Sequence, residues 1–263
     1  MGDHKMLRLY IFLLFLVLPT LSIAESFNKI KIYAFENPPL VVKTGEGFAG
    51  LAGYYGKAVA ASLEESGQAN DFELVWVPYK RGLMGVDKDV HGLFFAVDRT
   101  SDRETKFNWV MNFGEVECWL YATDPNVQIN SLSDLRKYRI GVQGGSARES
   151  EIRRYMGWSP KVEAIADDNA NLRKLHAGRI DIWATRPMVM VEAQKAMLLT
   201  DKSPRPLRPL KLLFKQNLWM IGNIHMPVQS KEIVKSVFGW EGKEPVKSPA
   251  LSARDILKSV VSN

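Results

Sequence analysis

Residues 139–184 read RIGVQGGSARESEIRRYMGWSPKVEAIADDNANLRKLHAGRIDIWA. Residues 139–142 and 161–165 are short, rich in β-branched side chains and bounded by Gly, Ser or Pro, which predicts strands. Between and after them, residues 146–156 and 168–177 carry helix formers. Ser146 is placed to cap the first, and Gly178 stops the second. Residues 180–184 (IDIWA) predict a further strand. Strands alternating with short helices imply parallel pairing, because a crossover helix is the usual way to bring the chain back in the same direction.

The rhythm extends outward on both sides. Residues 29–34 (KIKIYA) predict a strand, and residues 50–66 a helix with Leu51, Tyr55, Val59 and Leu63 along one face. Residues 72–77 predict a strand, 79–86 a short helix and 92–97 another strand. Residues 107–111 and 116–122 are extended, and 131–137 are helical. Residues 187–198 form a helix that opens on Pro187, a residue suited to the first helical position. Two breaks punctuate the order: Asp124-Pro125-Asn126, and residues 203–209 (SPRPLRP), which precede the extended stretch 210–222. The extended stretches beside these breaks are where the chain passes from one lobe to a second and returns. The domain expectation is a first lobe of residues 25–117 with 214–263, and a second of residues 118–213.

The amino terminus carries a compartment signal. Lys5 and Arg8 precede an apolar run at residues 9–18 that breaks at Pro19, and Ser22-Ile23-Ala24 offers small residues at a cleavage site. This is the layout of a cleaved secretory leader, residues 1–24, and the run is too short for a membrane span. Removal of those 24 of 263 residues leaves 239, enough for two modest lobes. The single Cys118 excludes an intramolecular disulfide, and its apolar setting predicts a buried, inert thiol. The net charge of +6 is scattered rather than blocked, so nucleic acid is not the expected partner. Beyond the expected leader the histidines are His91, His176 and His225, and they lack metal-ligand spacing. No G-x-S-x-G elbow, P-loop or dinucleotide fingerprint occurs, so neither a metal nor another cofactor is expected.

Five segments in order resemble the family-3 extracellular solute-binding proteins, the polar-amino-acid receptors of bacterial ABC importers. They are Asn37-Pro38-Pro39, Thr100-Ser101-Asp102-Arg103, and Ser133-Asp134-Leu135 ahead of Arg139-Ile140-Gly141-Val142. Gln143-Gly144-Gly145-Ser146 follows, and then Leu175-His176-Ala177-Gly178-Arg179-Ile180-Asp181. The resemblance implies an α/β, two-lobed type II periplasmic-binding-protein fold. Each lobe would be a mostly parallel sheet flanked by helices, with two crossover strands joining them and a ligand cleft between. It implies a monomer in the periplasm that captures a small anionic or zwitterionic solute, catalyses nothing, and delivers its solute to an ABC permease of the inner membrane.

A guanidinium offers a rigid fork for a carboxylate, which makes Arg103 the first candidate. In the family the matching arginine holds the ligand carboxylate; the plain alternative is a surface arginine paired with Asp102 or Glu104. Arg99 could share or usurp the role. Ser146 and Ala147 open a helix whose free amides and dipole favour an anion, and Ser146-Ala147-Arg148-Glu149 fits a capping box. Thr100 belongs to the same signature as Arg103. Phe35 and Tyr79 lie just beyond strand ends, where ligands of open α/β sheets bind, and Trp183 lies within a strand and leans towards core. The other tryptophans, Trp158 among them, are assigned to packing.

Arg186 departs from the pattern. The family's acidic residue for the ligand ammonium falls here, and Arg reverses its charge. Two readings follow, beside the plain one of an arginine solvated at the rim. Asp98 takes the ammonium and Arg186 grips a second ligand carboxylate, or Asp98 and Arg186 pair across the closed cleft and the ligand is not an α-amino acid. Two other functions stay open: a sensory or accessory protein, and a periplasmic dehydratase acting on a prephenate-like acid. The latter needs a protonated acid, for which Glu36, Asp98 and Asp181 are the visible candidates.

Overall fold

The computed structural model describes residues 28–200 and 205–240. The expected leader at residues 1–24 and the last residues assigned to the first lobe lie outside the described residues.

The first half runs β1 (Ile30–Ala34), β2 (Val42–Lys43), β3 (Leu51–Ala52), α1 (Tyr54–Ser66), β4 (Phe72–Trp76), α2 (Tyr79–Lys88), β5 (Gly92–Asp98) and β6 (Phe107–Ala122). It continues with β7 (Ile140–Gln143), α3 (Ala147–Met156), β8 (Val162–Ile165), α4 (Asp168–His176), β9 (Ile182–Thr185), α5 (Pro187–Leu198), β10 (Arg208–Asn223) and α6 (Val228–Phe238).

Eight strands form one sheet in the order β4-β1-β5-β10-β6-β9-β7-β8. β1 runs parallel to β4 and β5, and β7 runs parallel to β8 and β9. The two 16-residue strands β6 and β10 pair antiparallel with one another and join the parallel groups. Late in its course β10 pairs with β5, placing Leu218 opposite Asp98. β6 reaches β9 with its last residues, placing Trp119 opposite Thr185. These are the two crossover strands of a two-lobed α/β fold.

Burial follows the apolar pattern. β5 is buried along its whole length, as expected for a parallel strand covered on both faces. One core gathers Ile30, Ile32, Val59, Leu63, Phe94 and Phe113, while a second gathers Cys118, Leu120, Ile140, Val142, Ile152 and Ile182.

Several boundaries differ from the sequence reading for identifiable reasons. α1 begins at Tyr54 rather than residue 50, because Leu51 is drawn into the short strand β3. Gly53 then turns the chain at φ 83°, where a Cβ would lie 2.7 Å from the carbonyl oxygens of Pro39 and Leu40. Residues 107–111 and 116–122 are one strand, since Gly114 at φ 100° and the Asn112 side chain bonded to its amide absorb a register shift without ending the pairing. Residues 131–137 form a 3₁₀ turn, Leu132–Lys137, closed by the reciprocal box of Ser131 and Asp134. Trp158 is 87% exposed, its ring lying 4.4 Å from the Arg153 guanidinium instead of in a core.

Candidate functional site

The described side chains with the chemistry to hold a solute converge where parallel strands end and helices begin. Asp98 is the last residue of β5, Gln143 of β7 and Thr185 of β9. Tyr79 opens α2, Ser146 caps α3 and Arg186 caps α5. In open α/β sheets this carboxyl edge is where ligands bind, because the crossover loops leave a crevice there.

A bulge aims Asp98. Trp219 faces Val97 and Ile221 faces Phe94, so Phe95 and Ala96 together oppose Met220. Ala96 takes up the extra residue at φ 65°, a conformation that disfavours a Cβ. Such a bulge re-aims the residues that follow it, and here these are Asp98 and the loop carrying Thr100 and Arg103.

Asp98 and Arg186 meet from opposite sides of the crossovers. Arg186 Nη2 lies 2.8 Å from Asp98 Oδ1, with side-chain exposures of 6% and 1%. Burial alone would lower the Arg186 pKa, but the charge and hydrogen bond of Asp98 outweigh it and hold the guanidinium firmly protonated. Of the readings left open by the sequence, this is the geometry of the internal pair.

Arg103 is also buried, at 6% exposure. Its Nη1 donates to the carbonyl of Asp98 at 3.2 Å, and its Nη2 crosses to the carbonyl of Gly145 at 2.9 Å. Neither Asp102 nor Glu104 takes it: Glu104 pairs with Arg99 instead. Arg99 lies under Trp109 and Trp219, with 4.9 and 5.0 Å to the ring centroids, which removes it as a substitute for Arg103. Burial acts to lower the Arg103 pKa, and the surrounding Tyr79, Asp98 and Asp102 act to raise it, with a net rise.

Around Arg103 stand polar groups with unused capacity. The hydroxyls of Tyr79 and Thr100 are buried without a hydrogen-bond partner of good geometry. Burial raises the Tyr79 pKa, with Arg103 the foremost opposing influence, so the phenol keeps its proton and remains a donor. Phe35 packs edge-on against Tyr79 at 4.8 Å and also against Phe94, serving as the floor beneath the tyrosine.

From the other side, α3 presents its amino end. Ser146 Oγ donates to the Gln143 carbonyl at 2.6 Å and accepts from the Glu149 amide. The expected capping box is altered, because the Glu149 carboxylate accepts from the Gly145 amide rather than closing onto Ser146. Gly145, at φ 78°, packs against Lys80, and Ala147 is buried in the first turn. The first amides of a helix have no intrahelical acceptor, so this end carries donors and partial positive charge.

The sequence reading missed a buried polar cluster behind this turn. Arg148 Nη1 lies 3.3 Å from Asp168 Oδ2, and Arg148 Nη2 donates to Gln143 Oε1 at 2.7 Å. Asp168 also accepts from the Trp183 indole at 2.8 Å, from Thr185 Oγ1 at 3.0 Å and from Asn171. Trp183 is thus a core residue with a polar task. Among the described residues no group of three or more His, Cys, Asp or Glu is placed to hold a metal ion.

No protein-family model and no curated protein sequence matches this chain. Solved structures do. A histidine kinase sensor domain with similarity to periplasmic binding proteins superposes with a TM-score of 0.66 at 14% identity, covering 81% of this chain and 87% of its own. The arginine-, lysine-, histidine-binding protein ArtJ of Geobacillus stearothermophilus gives 0.63 at 16%, covering 83% and 97%. The GluR0 ligand-binding core from Nostoc punctiforme, in complex with L-glutamate, gives 0.59 at 15%, covering 79% and 91%. The likeness shows the fold: two α/β lobes of the periplasmic-binding-protein type.

Proposed function

We propose that this chain is a divergent family-3 solute-binding protein. It captures a small carboxylate-bearing solute between a first lobe of residues 25–117 and 214–263 and a second of residues 118–213. The observation that carries the reading is Arg103, a buried guanidinium met by two carbonyl oxygens and the Tyr79 hydroxyl but by no carboxylate, lying beside the unpartnered Thr100 hydroxyl and facing the amino end of α3. Neutral oxygens compensate a buried charge poorly, and an anion entering here would receive charge-assisted hydrogen bonds from Arg103 and amide donors from α3. Solved neighbours that bind amino acids support a solute-binding role.

Capture rather than catalysis fits the state of two of the three acids proposed for a dehydratase, and the third, Glu36, is exposed. Asp98 is engaged by Arg186, and Asp181 is held below the ordinary carboxylate range by its bond to Arg139. A proton donor needs the opposite environment. Export through cleavage after Ala24 and delivery to an ABC permease belong to the same proposal. A solved sensor domain of the same fold supports a second reading, in which the bound form is recognised by a signalling partner.

The test is a thermal-shift screen of small organic acids and amino acids on the wild type and on Arg103→Met. A ligand that binds only the native state raises its melting temperature. At least one solute should do so for the wild type and fail for the variant. Full retention of the shift by Arg103→Met would remove the residue from the site.

A further inference from the structure

We infer that the preferred solute is an organic monoanion lacking an ammonium group. The inference builds on the solute-binding reading and sharpens it from the charges of the site. Three buried arginines, Arg103, Arg148 and Arg186, converge with two buried aspartates, Asp98 and Asp168. Each aspartate is committed to one arginine: Asp98 to Arg186, and Asp168 to Arg148 together with the Trp183, Thr185 and Asn171 donors. Arg103 is left with neutral oxygen acceptors. The buried group therefore carries one positive charge in excess, and one negative charge on the solute balances it.

Both buried aspartates are already paired, so neither is a vacant site for a cation. An ammonium brought to Asp98 would meet Arg186 on the same carboxylate and Arg103 on the carbonyl of the same residue. Displacing Arg186 instead would strand a buried guanidinium, a severe cost in a low-dielectric site. The remaining acids nearby are turned elsewhere. Glu149 binds Arg153 and the Gly145 amide, Glu104 binds Arg99, and Glu36 and Asp102 are exposed. Tyr79, whose oxygen meets Arg103, and Thr100 both keep a hydroxyl proton that can be donated to a carboxylate oxygen, in keeping with an anion.

Titration calorimetry on the intact mature protein with matched probes tests this. The series are propanoate, alanine and ethylamine, and 3-phenylpropanoate, phenylalanine and phenethylamine. In whichever series fits the site, the plain acid should bind at least about tenfold more tightly than the amino acid, a difference of about 1.4 kcal/mol, and the amine should not bind. An amino acid that matches or outbinds its deaminated partner overturns the inference while leaving solute binding intact. Absence of heat and of thermal stabilisation from every probe, and from the wider screen of acids and amino acids, counts against the solute-binding reading itself.

Discussion

Arg186 at the head of α5 and Asp98 at the end of β5 form an ion pair 2.8 Å long, sealed from water, that ties elements on opposite sides of the crossover strands. Removing one partner leaves the other charged and buried. Arg186→Ala should therefore lower unfolding stability by about 3–5 kcal/mol. The double substitution Arg186→Met with Asp98→Leu should recover most of that loss, since neither charge remains to be desolvated. Urea denaturation of the single and double variants measures both. A loss below about 1 kcal/mol for Arg186→Ala would mean the pair is solvated and does not hold the lobes together.

The bulge at Ala96 gives a second prediction. Ala to Gly in an ordinary strand weakens it by roughly 0.5–1 kcal/mol. At φ 65° the same change relieves the Cβ conflict, so Ala96→Gly should leave stability unchanged or raise it by up to about 1 kcal/mol, and Ala96→Val should lower it. A loss above about 1 kcal/mol in Ala96→Gly, read from thermal or urea unfolding, would contradict the left-handed geometry.

Cys118 is buried, and burial pushes its thiol pKa up to about 12 from 9.0. It should resist iodoacetamide at pH 8 in the folded protein and react fully in denaturant. The linkage sign follows from the raised value. Above pH 9 the unfolded thiol loses its proton while the folded one keeps it, so the thiol's contribution to stability is complete below that pH and lost between pH 9 and about 12. Cys118→Ala should flatten this alkaline slope relative to wild type; an unchanged slope would show that the thiol titrates normally in the fold.

Asp134 works at the acid end. Its bond to Lys137, at 2.6 Å, and the amides of Ser131 and Asn130 hold its pKa at about 2. Because the folded value is depressed, its contribution is present above the ordinary carboxylate value of 3.8 and lost as pH falls through about 2. Asp134→Asn should remove that part of the acid-unfolding slope. Superimposable acid titrations of the two proteins, followed by circular dichroism, would contradict the assignment.

Much of this arrangement is legible in the sequence, and the exceptions share a cause. Alternating short strands and helices announce the α/β class, and Pro187 marks the start of α5. Charge reversal at Arg186 raised the Asp98 pair as one reading, and the proximity of the two side chains is what the sequence could not supply. Arg148 escaped notice because an arginine in the first turn of a helix reads as a solvated side chain. Its burial depends on Asp168, Gln143 and Thr185 arriving from three other elements. Asp168 was hidden beside Asp167, which takes the recognisable capping role. Trp158 erred the other way, since hydrophobic size alone does not say whether a loop turns inward.

The most direct measurement is nitrogen-15 NMR of the arginine side chains, titrating the mature protein with the tightest-binding acid found in the screen. The Arg103 Nε resonance should move with saturation while that of Arg186, still engaged with Asp98, stays in place. Movement of Arg186 with Arg103 unchanged, at full occupancy, would contradict it.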